Sequence, residues 1–143
     1  MARIERRFTV AKPLGEVVEY LKDFSHAEQW DPGTVTCTRL DTGPVMEGST
    51  WRNVSQFLGR RTELTYRLDR ALPDRLTFAG ENGSAVTVDD LAFEPDGAGT
   101  RVTYTADIRL RGAARLAEPL ARVALEGMAG KVVVKMQETI NGL

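Results

Sequence analysis

The only histidine of the chain, His26, lies in Phe24-Ser-His-Ala-Glu-Gln-Trp-Asp-Pro-Gly33, with Asp23 and Glu28 close by in sequence. An imidazole titrates near neutrality, so His26 is the obvious candidate for a general base. Its neighbours argue for architecture instead. Ser25 followed three residues later by Glu28 is a capping-box pattern that starts a short helix. Pro32 disfavours helical backbone at the preceding residue, so that helix ends by Asp31, whose side chain is suited to initiate the Pro-Gly turn. Trp30 is expected to pack under the sheet edge. His26 is then the first residue of a short exposed helix, just after its cap, and no catalytic residue is assigned.

A second pair of interest is Asp89-Asp90 in Val86-Thr-Val-Asp-Asp-Leu-Ala-Phe93. Adjacent strand residues point to opposite faces, so one carboxyl would face inward as a buried acid with a raised pKa. The pattern does not say which, and the expectation is that twist or a bulge lets both reach water. Asn53, Tyr66 and Tyr104 are the other polar candidates: an amide and two phenols able to orient a ligand oxygen.

Composition narrows the chemistry. One cysteine, Cys37, rules out an internal disulfide and a cysteine-based zinc site, and one histidine rules out a multi-histidine centre. No metal and no cofactor are expected. Net charge is -1, and Arg6-Arg7 and Arg60-Arg61 are local pairs, too short to track phosphates, so no nucleic acid partner is expected. No stretch approaches the ~20 apolar residues of a membrane span, and the N-terminus lacks a signal-type apolar run. A cytoplasmic protein is expected, as monomer or homodimer. At 143 residues the chain reads as a single domain over 1–143.

The elements that must position these groups follow from periodicity. Residues 2–10 alternate with Ile4, Phe8 and Val10 on one face, although Arg6 falls on that apolar face. Pro13 and the spacing of Val17, Tyr20, Leu21 and Phe24 predict a helix. Strands are predicted at 34–40, 50–57, 61–71, 74–81, 84–95 and 100–110, joined by turns at Leu58-Gly59, Asn82-Gly83 and Asp96 to Gly99. Residues 113–141 predict one helix with an apolar stripe of Leu116, Leu120, Val123, Ala124, Met128, Val132, Met136 and Ile140. Pro119 either starts its regular part or kinks it. The fold class is α+β: a curved seven-stranded antiparallel sheet around a long C-terminal helix, with two short helices after the first strand.

In their order and spacing, "RRFTVAKPLGEVVEYLKDFSHAEQWDPG", "PVMEGSTWR", "ALPDRLTFAG" and "DGAGTRVTYTADIRL" resemble the START-like (SRPBCC) superfamily, most closely its polyketide cyclase/dehydrase-type branch. The resemblance implies a helix-grip fold around a cavity for a small hydrophobic molecule: a lipid, polyketide or aromatic compound. It brings no invariant catalytic set. Trp51, Asn53, Tyr66, Phe78, Tyr104, Ala106, Ala124 and Met128 are the candidate ligand contacts. Small residues at Gly112 to Ala117 and at Gly127, Ala129 and Gly130 leave the helix thin opposite the sheet aromatics, which could line a void or fill it. Two functions stay open: carriage of the molecule, or a polyketide cyclase/aromatase-type reaction relying on shape and hydrogen-bond donors.

Overall fold

A computed structural model describes residues 2–143 of the chain. Seven antiparallel strands form one sheet in the order β1-β7-β6-β5-β4-β3-β2. They are β1 (Ala2–Val10), β2 (Thr34–Arg39), β3 (Thr50–Phe57), β4 (Arg60–Leu72), β5 (Arg75–Glu81), β6 (Ala85–Asp96) and β7 (Gly99–Leu110). Helices α1 (Leu14–Lys22) and α2 (Ala27–Trp30), separated by a 3-10 turn at Phe24–His26, connect β1 to β2. A 3-10 segment (Gly112–Ala117) leads into α3 (Glu118–Asn141), so the long helix is α-helical from Glu118 and Pro119 belongs to its first turn. Among the described residues, no helix is long and apolar enough to cross a membrane.

The strands form where apolar and polar residues alternate, and the turns where the sequence can reverse. Leu58 and Gly59 both have positive φ, 55° and 73°, as a two-residue hairpin turn of the right twist requires. At Asn82-Gly83 the reversal uses side-chain chemistry: Asn82 Oδ1 accepts from the amides of Ser84 and Ala85 at 2.8 Å each.

The capping box predicted at Ser25 is not formed. Asp23 takes the capping position, its Oδ1 accepting from the Ser25 amide (3.0 Å) and hydroxyl (2.7 Å). The chain enters the helical region two residues earlier, through 3-10 geometry, which places Ser25 inside it. Glu28 accepts from the Cys37 amide at 2.8 Å and ties α2 to β2.

The register across the inner face explains what meets what. One row runs Trp51, Tyr66, Gly80, Thr87, Ile108, and the next runs Leu68, Phe78, Asp89, Ala106, Ile4. Phe24 lies over both rows, 4.5 Å from the ring centroids of Tyr66 in the first and Phe78 in the second, and 6.1 Å from Trp51. α3 makes its sheet contacts chiefly along β1, with fewer to β7, and leans on α2. Arg6, the charge on the apolar face of β1, is met there by Glu126 of α3 at 2.8 Å.

The helix buries a different face from the one predicted for its first half. Ala121, Ala129, Val132, Met136 and Ile140 are buried, whereas Leu116, Leu120 and Val123 are 89, 65 and 71% exposed. Four-residue steps overshoot a 3.6-residue turn by about 40° each, so a stripe built on them rotates away along the helix. The second half of the stripe faces the sheet and the first half faces outward.

Trp30 is 2% exposed, edge-on to Phe24 at 6.0 Å and to Tyr104 at 6.2 Å. Trp30→Ala is expected to cost about 3–5 kcal/mol in urea denaturation. A cost under about 1 kcal/mol would show that the ring is not part of the core.

Candidate functional site

Between α3 and the middle of the sheet lies a cavity of about 460 Å³. Its strand walls are the inward residues of β3, β4, β6 and β7: Asn53 and Ser55, Leu64 and Tyr66, Ala85, Thr87 and Asp89, and Tyr104, Ala106 and Ile108. α3 contributes Leu125, Met128, Ala129 and Val132, and the 3-10 segment contributes Ala114 and Ala117. Exposed Gln56, Leu58, Arg60 and Arg61, with Asn82 and Ser84, ring one end. From that mouth, β6 presents Ala85, then Thr87, then Asp89, so Asp89 lies about 13 Å in along the strand. Tyr66, Tyr104, Phe24 and Trp30 close the same deep end.

Five of the eight predicted contacts border this space: Asn53, Tyr66, Tyr104, Ala106 and Met128. Trp51, Phe78 and Ala124 do not. Phe24 covers Trp51 and Phe78, which are fully buried beneath it, and Trp51 Nε1 donates to Asp23 at 3.2 Å. Ala124 lies on the half of the stripe that rotates out, and Met128 is the first predicted stripe residue to face inward. Gly127 and Gly130 are exposed and open no space toward the sheet.

The residue that sequence reasoning undervalued is Asp89. Ladder pairing of β6 with β5 and β7 is unbroken through this segment, so no bulge lets both carboxyls out. Asp90 faces outward, receiving both Arg75 bonds at 3.0 Å and the Thr77 hydroxyl at 2.7 Å. Asp89 faces inward at 8% exposure. Alternation counted back from Leu91 and Phe93 places Asp89 inward, whereas Val86 and Val88 fall on the opposite phase, so the sequence signal was divided.

Asp89 Oδ1 accepts from the Tyr104 hydroxyl at 2.9 Å. Tyr66 also reaches its carboxyl, and the Tyr66 oxygen receives the Thr87 hydroxyl at 3.1 Å. Tyr66 spans this distance because Gly80 lies between it and Thr87 in the row. A Cβ there would stand 2.7 Å from Tyr66 Cε1 and 2.8 Å from Thr87 Oγ1. Burial pushes the Asp89 carboxyl up to about 7, opposed by the tyrosine hydrogen bonds and aided by the nearby charges of Asp31 and Asp107. Burial, and then the Asp89 charge, hold both tyrosines well above their ordinary range, so they remain O–H donors. An acid of this kind can hold or give up a proton near neutrality.

The remaining reactive groups are engaged elsewhere. His26 stacks on Tyr20 at 4.4 Å, its Nδ1 is 2.6 Å from the Tyr20 carbonyl, and it does not border the cavity. Burial pushes the Cys37 thiol up to about 12, far from thiolate at neutral pH. Asp31 at the cavity wall accepts from the Gly33 amide and the Thr34 hydroxyl, both at 2.9 Å, and burial raises its carboxyl.

Over residues 1–141 the chain matches the family described as polyketide cyclase / dehydrase and lipid transport, and it belongs to that family. Among solved structures it is similar to a START superfamily protein from Mycobacterium smegmatis, at 11% identity and TM-score 0.81, covering 99% of each chain. It is similar also to the Zhui aromatase/cyclase from Streptomyces sp. R1128, at 21% identity and TM-score 0.74, covering 98% of this chain and 91% of that one. A Thermus thermophilus protein aligns at 15% identity and TM-score 0.81, covering 98% of this chain and 97% of the other. At these identities the likeness establishes the fold: a START-like helix-grip domain. No curated protein sequence matches the chain.

A carboxyl titrating near 7 when folded and near 3.8 when unfolded binds its extra proton only in the folded state. That stabilisation is complete below about pH 4 and is lost as pH rises toward 7, with a slope of about 1.4 kcal/mol per pH unit. Between about pH 5 and pH 8 the wild type should lose about 2–3 kcal/mol relative to Asp89→Asn in urea denaturation. Parallel curves for the two proteins would show that Asp89 is not held in this state.

Proposed function

We propose that the protein binds a small, mostly apolar molecule in the cavity between α3 and the sheet. The observation that carries this reading is the form of the space: about 460 Å³, open at one end, walled mainly by apolar surface, with polar residues around its mouth and a hydrogen-bonded carboxyl at its deep end. Small-molecule sites have this size and this distribution of polarity. An ordinary core would close such a space at crystal-like density. The family description, polyketide cyclase / dehydrase and lipid transport, is in keeping with an apolar ligand.

A second reading, a polyketide cyclase/aromatase-type reaction, is favoured by one observation. Asp89 is an acid pushed to about 7 inside the cavity, with phenols beside it. Proton removal next to a carbonyl needs such a base and hydrogen-bond donors for the enolate oxygen. Binding without turnover of a poly-ketone substrate would leave the carrier reading; product formation lost in Asp89→Asn would establish the second.

The binding reading is tested by titrating the neutral, polarity-sensitive naphthyl ketone prodan and following its fluorescence. Wild type should bind with a Kd on the order of micromolar, an affinity within the reach of a mainly apolar ligand of this size. Ala106→Phe and Ala129→Phe place a ring in the cavity and should each weaken binding at least about tenfold. His26→Gln, away from the cavity, should stay within about threefold. No binding by wild type, with both Phe variants strongly destabilised by overpacking, would mean that the interior is already full.

A further inference from the structure

We propose that the deep end of the cavity is a subsite for a neutral hydrogen-bond acceptor, such as a ketone or ester carbonyl, seated on Asp89, and that loading the cavity takes up one proton. This rests on the binding reading above and specifies which ligands satisfy it.

A count of hydrogens leads there. The Thr87 hydroxyl points to Tyr66 at 3.1 Å, and the Tyr104 hydroxyl points to Asp89 at 2.9 Å. With the oxygen of Tyr66 receiving Thr87, its own hydrogen is free to meet the Asp89 carboxyl within reach. Two phenol hydrogens thus converge on one carboxyl, and the Thr87 hydrogen is spent on Tyr66. While that carboxyl is ionised, every hydrogen is used internally and only lone pairs are left for a ligand. Such a cluster has nothing to give a carbonyl. One added proton supplies one hydrogen more than the cluster consumes, and that hydrogen is available to an acceptor in the cavity.

The surroundings favour the protonated, acceptor-binding state once the cavity is filled. On the neighbouring strands, β5 presents Phe78 and Gly80, β7 presents Tyr104 and Ala106, and β4 presents Tyr66. The ionisable groups acting on Asp89 and its tyrosines are Asp31, Asp107 and Cys37, all acidic. Arg60 and Arg61 border the cavity at its mouth, away from Asp89. Arg6, opposite Tyr104 on β1, bonds Glu126 of α3, and Arg3 leans to Asp107 at 3.9 Å. From α3 the cavity receives Leu125, Met128, Ala129 and Val132, none of them charged. An apolar occupant removes the remaining solvent from Asp89 and adds no positive charge. Desolvation disfavours the ionised carboxyl, so loading and proton uptake are linked. A cationic amine would reverse both preferences.

The test compares 2-acetylnaphthalene with 2-ethylnaphthalene, which matches its shape but has no carbonyl, and with 2-naphthylmethylamine. Displacement of prodan gives the affinities, and calorimetry of the ketone in buffers of different ionisation heat counts protons. In wild type the ketone should bind at least about tenfold tighter than the hydrocarbon at about pH 5.5, the size of one well-placed hydrogen bond. Its affinity should fall by roughly tenfold per pH unit above the titration of Asp89, with close to one proton taken up at about pH 8.5. Asp89→Asn, whose amide can donate at any pH, should keep the preference for the ketone and lose the pH dependence. Tyr104→Phe removes a bond that favours the ionised form, so it should move the pH midpoint upward if Asp89→Asn folds poorly.

Equal binding of ketone and hydrocarbon would overturn the subsite while leaving the apolar cavity in place. Preference for the amine, or ketone affinity that rises with pH, would overturn it in favour of an ionised subsite. Failure of all three probes and of prodan would remove the binding reading itself, and this inference with it.

Discussion

A carboxyl group at the centre of a sheet's buried face has to be hydrogen-bonded or neutralised, and the inner architecture of this protein is arranged around that requirement. The immediate ladder partners of Asp89 are Phe78 and Ala106, neither able to donate. Help must come from further away. It comes diagonally from Tyr104 on β7 and across two strands from Tyr66 on β4. The second reach exists because Gly80 leaves its place in the row empty and the Tyr66 ring lies over it. The methyl of Ala106 leaves the cavity side of the carboxyl uncovered. Burial without a cation raises the carboxyl, and two phenols keep it from rising further.

The space beside that carboxyl is a consequence of how the helix is supported. α3 rests on β1 and leans on α2, with few contacts to β7 and none of substance to the strands beyond. A helix propped at the sheet's edge and at its short-helix side stands away from the middle strands. Leu64, Ala106 and Ile108 on one wall, and Leu125, Met128 and Ala129 on the other, do not reach across. Near the closed end the aromatic group around Phe24 does fill the gap. The same molecule therefore has a packed core at one end of the sheet and a cavity at the other.

Much of this was legible in the sequence. Alternation gave seven strands within a residue or two at most ends, and turn dipeptides gave their connections. The site was legible in part. Asn53, Tyr66, Tyr104 and Ala106 follow from strand alternation alone, because a strand's face is fixed once its register is. Trp51 and Phe78 share that face, and what removes them from the cavity is Phe24, a residue on a different element whose place depends on tertiary packing. Ala124 was misplaced because an apolar residue every four positions does not stay on one face of a helix. Asp89 was undervalued because the expected bulge does not occur in β6. A carboxyl facing inward is costly enough to be expected only where something repays it, and the repaying residues are distant in sequence.

Anchoring of α3 is uneven, and the unevenness bears on access to the cavity. Val132, Met136 and Ile140 bury its C-terminal half in the core, and Asn141 accepts from the Ala11 amide at 2.8 Å. Toward the N-terminus only Ala121 and Ala129 are buried, and the preceding 3-10 segment buries no residue at all. The Arg6 to Glu126 pair links this half to β1, but both side chains are substantially exposed, which limits its worth to roughly 1 kcal/mol or less. Ala114 and Ala117 of the 3-10 segment border the cavity. Segments with little buried surface open at the lowest free-energy cost. The buried surface of α3 is concentrated in its C-terminal half, and the 3-10 segment and first turns rest on the molecule with little of it.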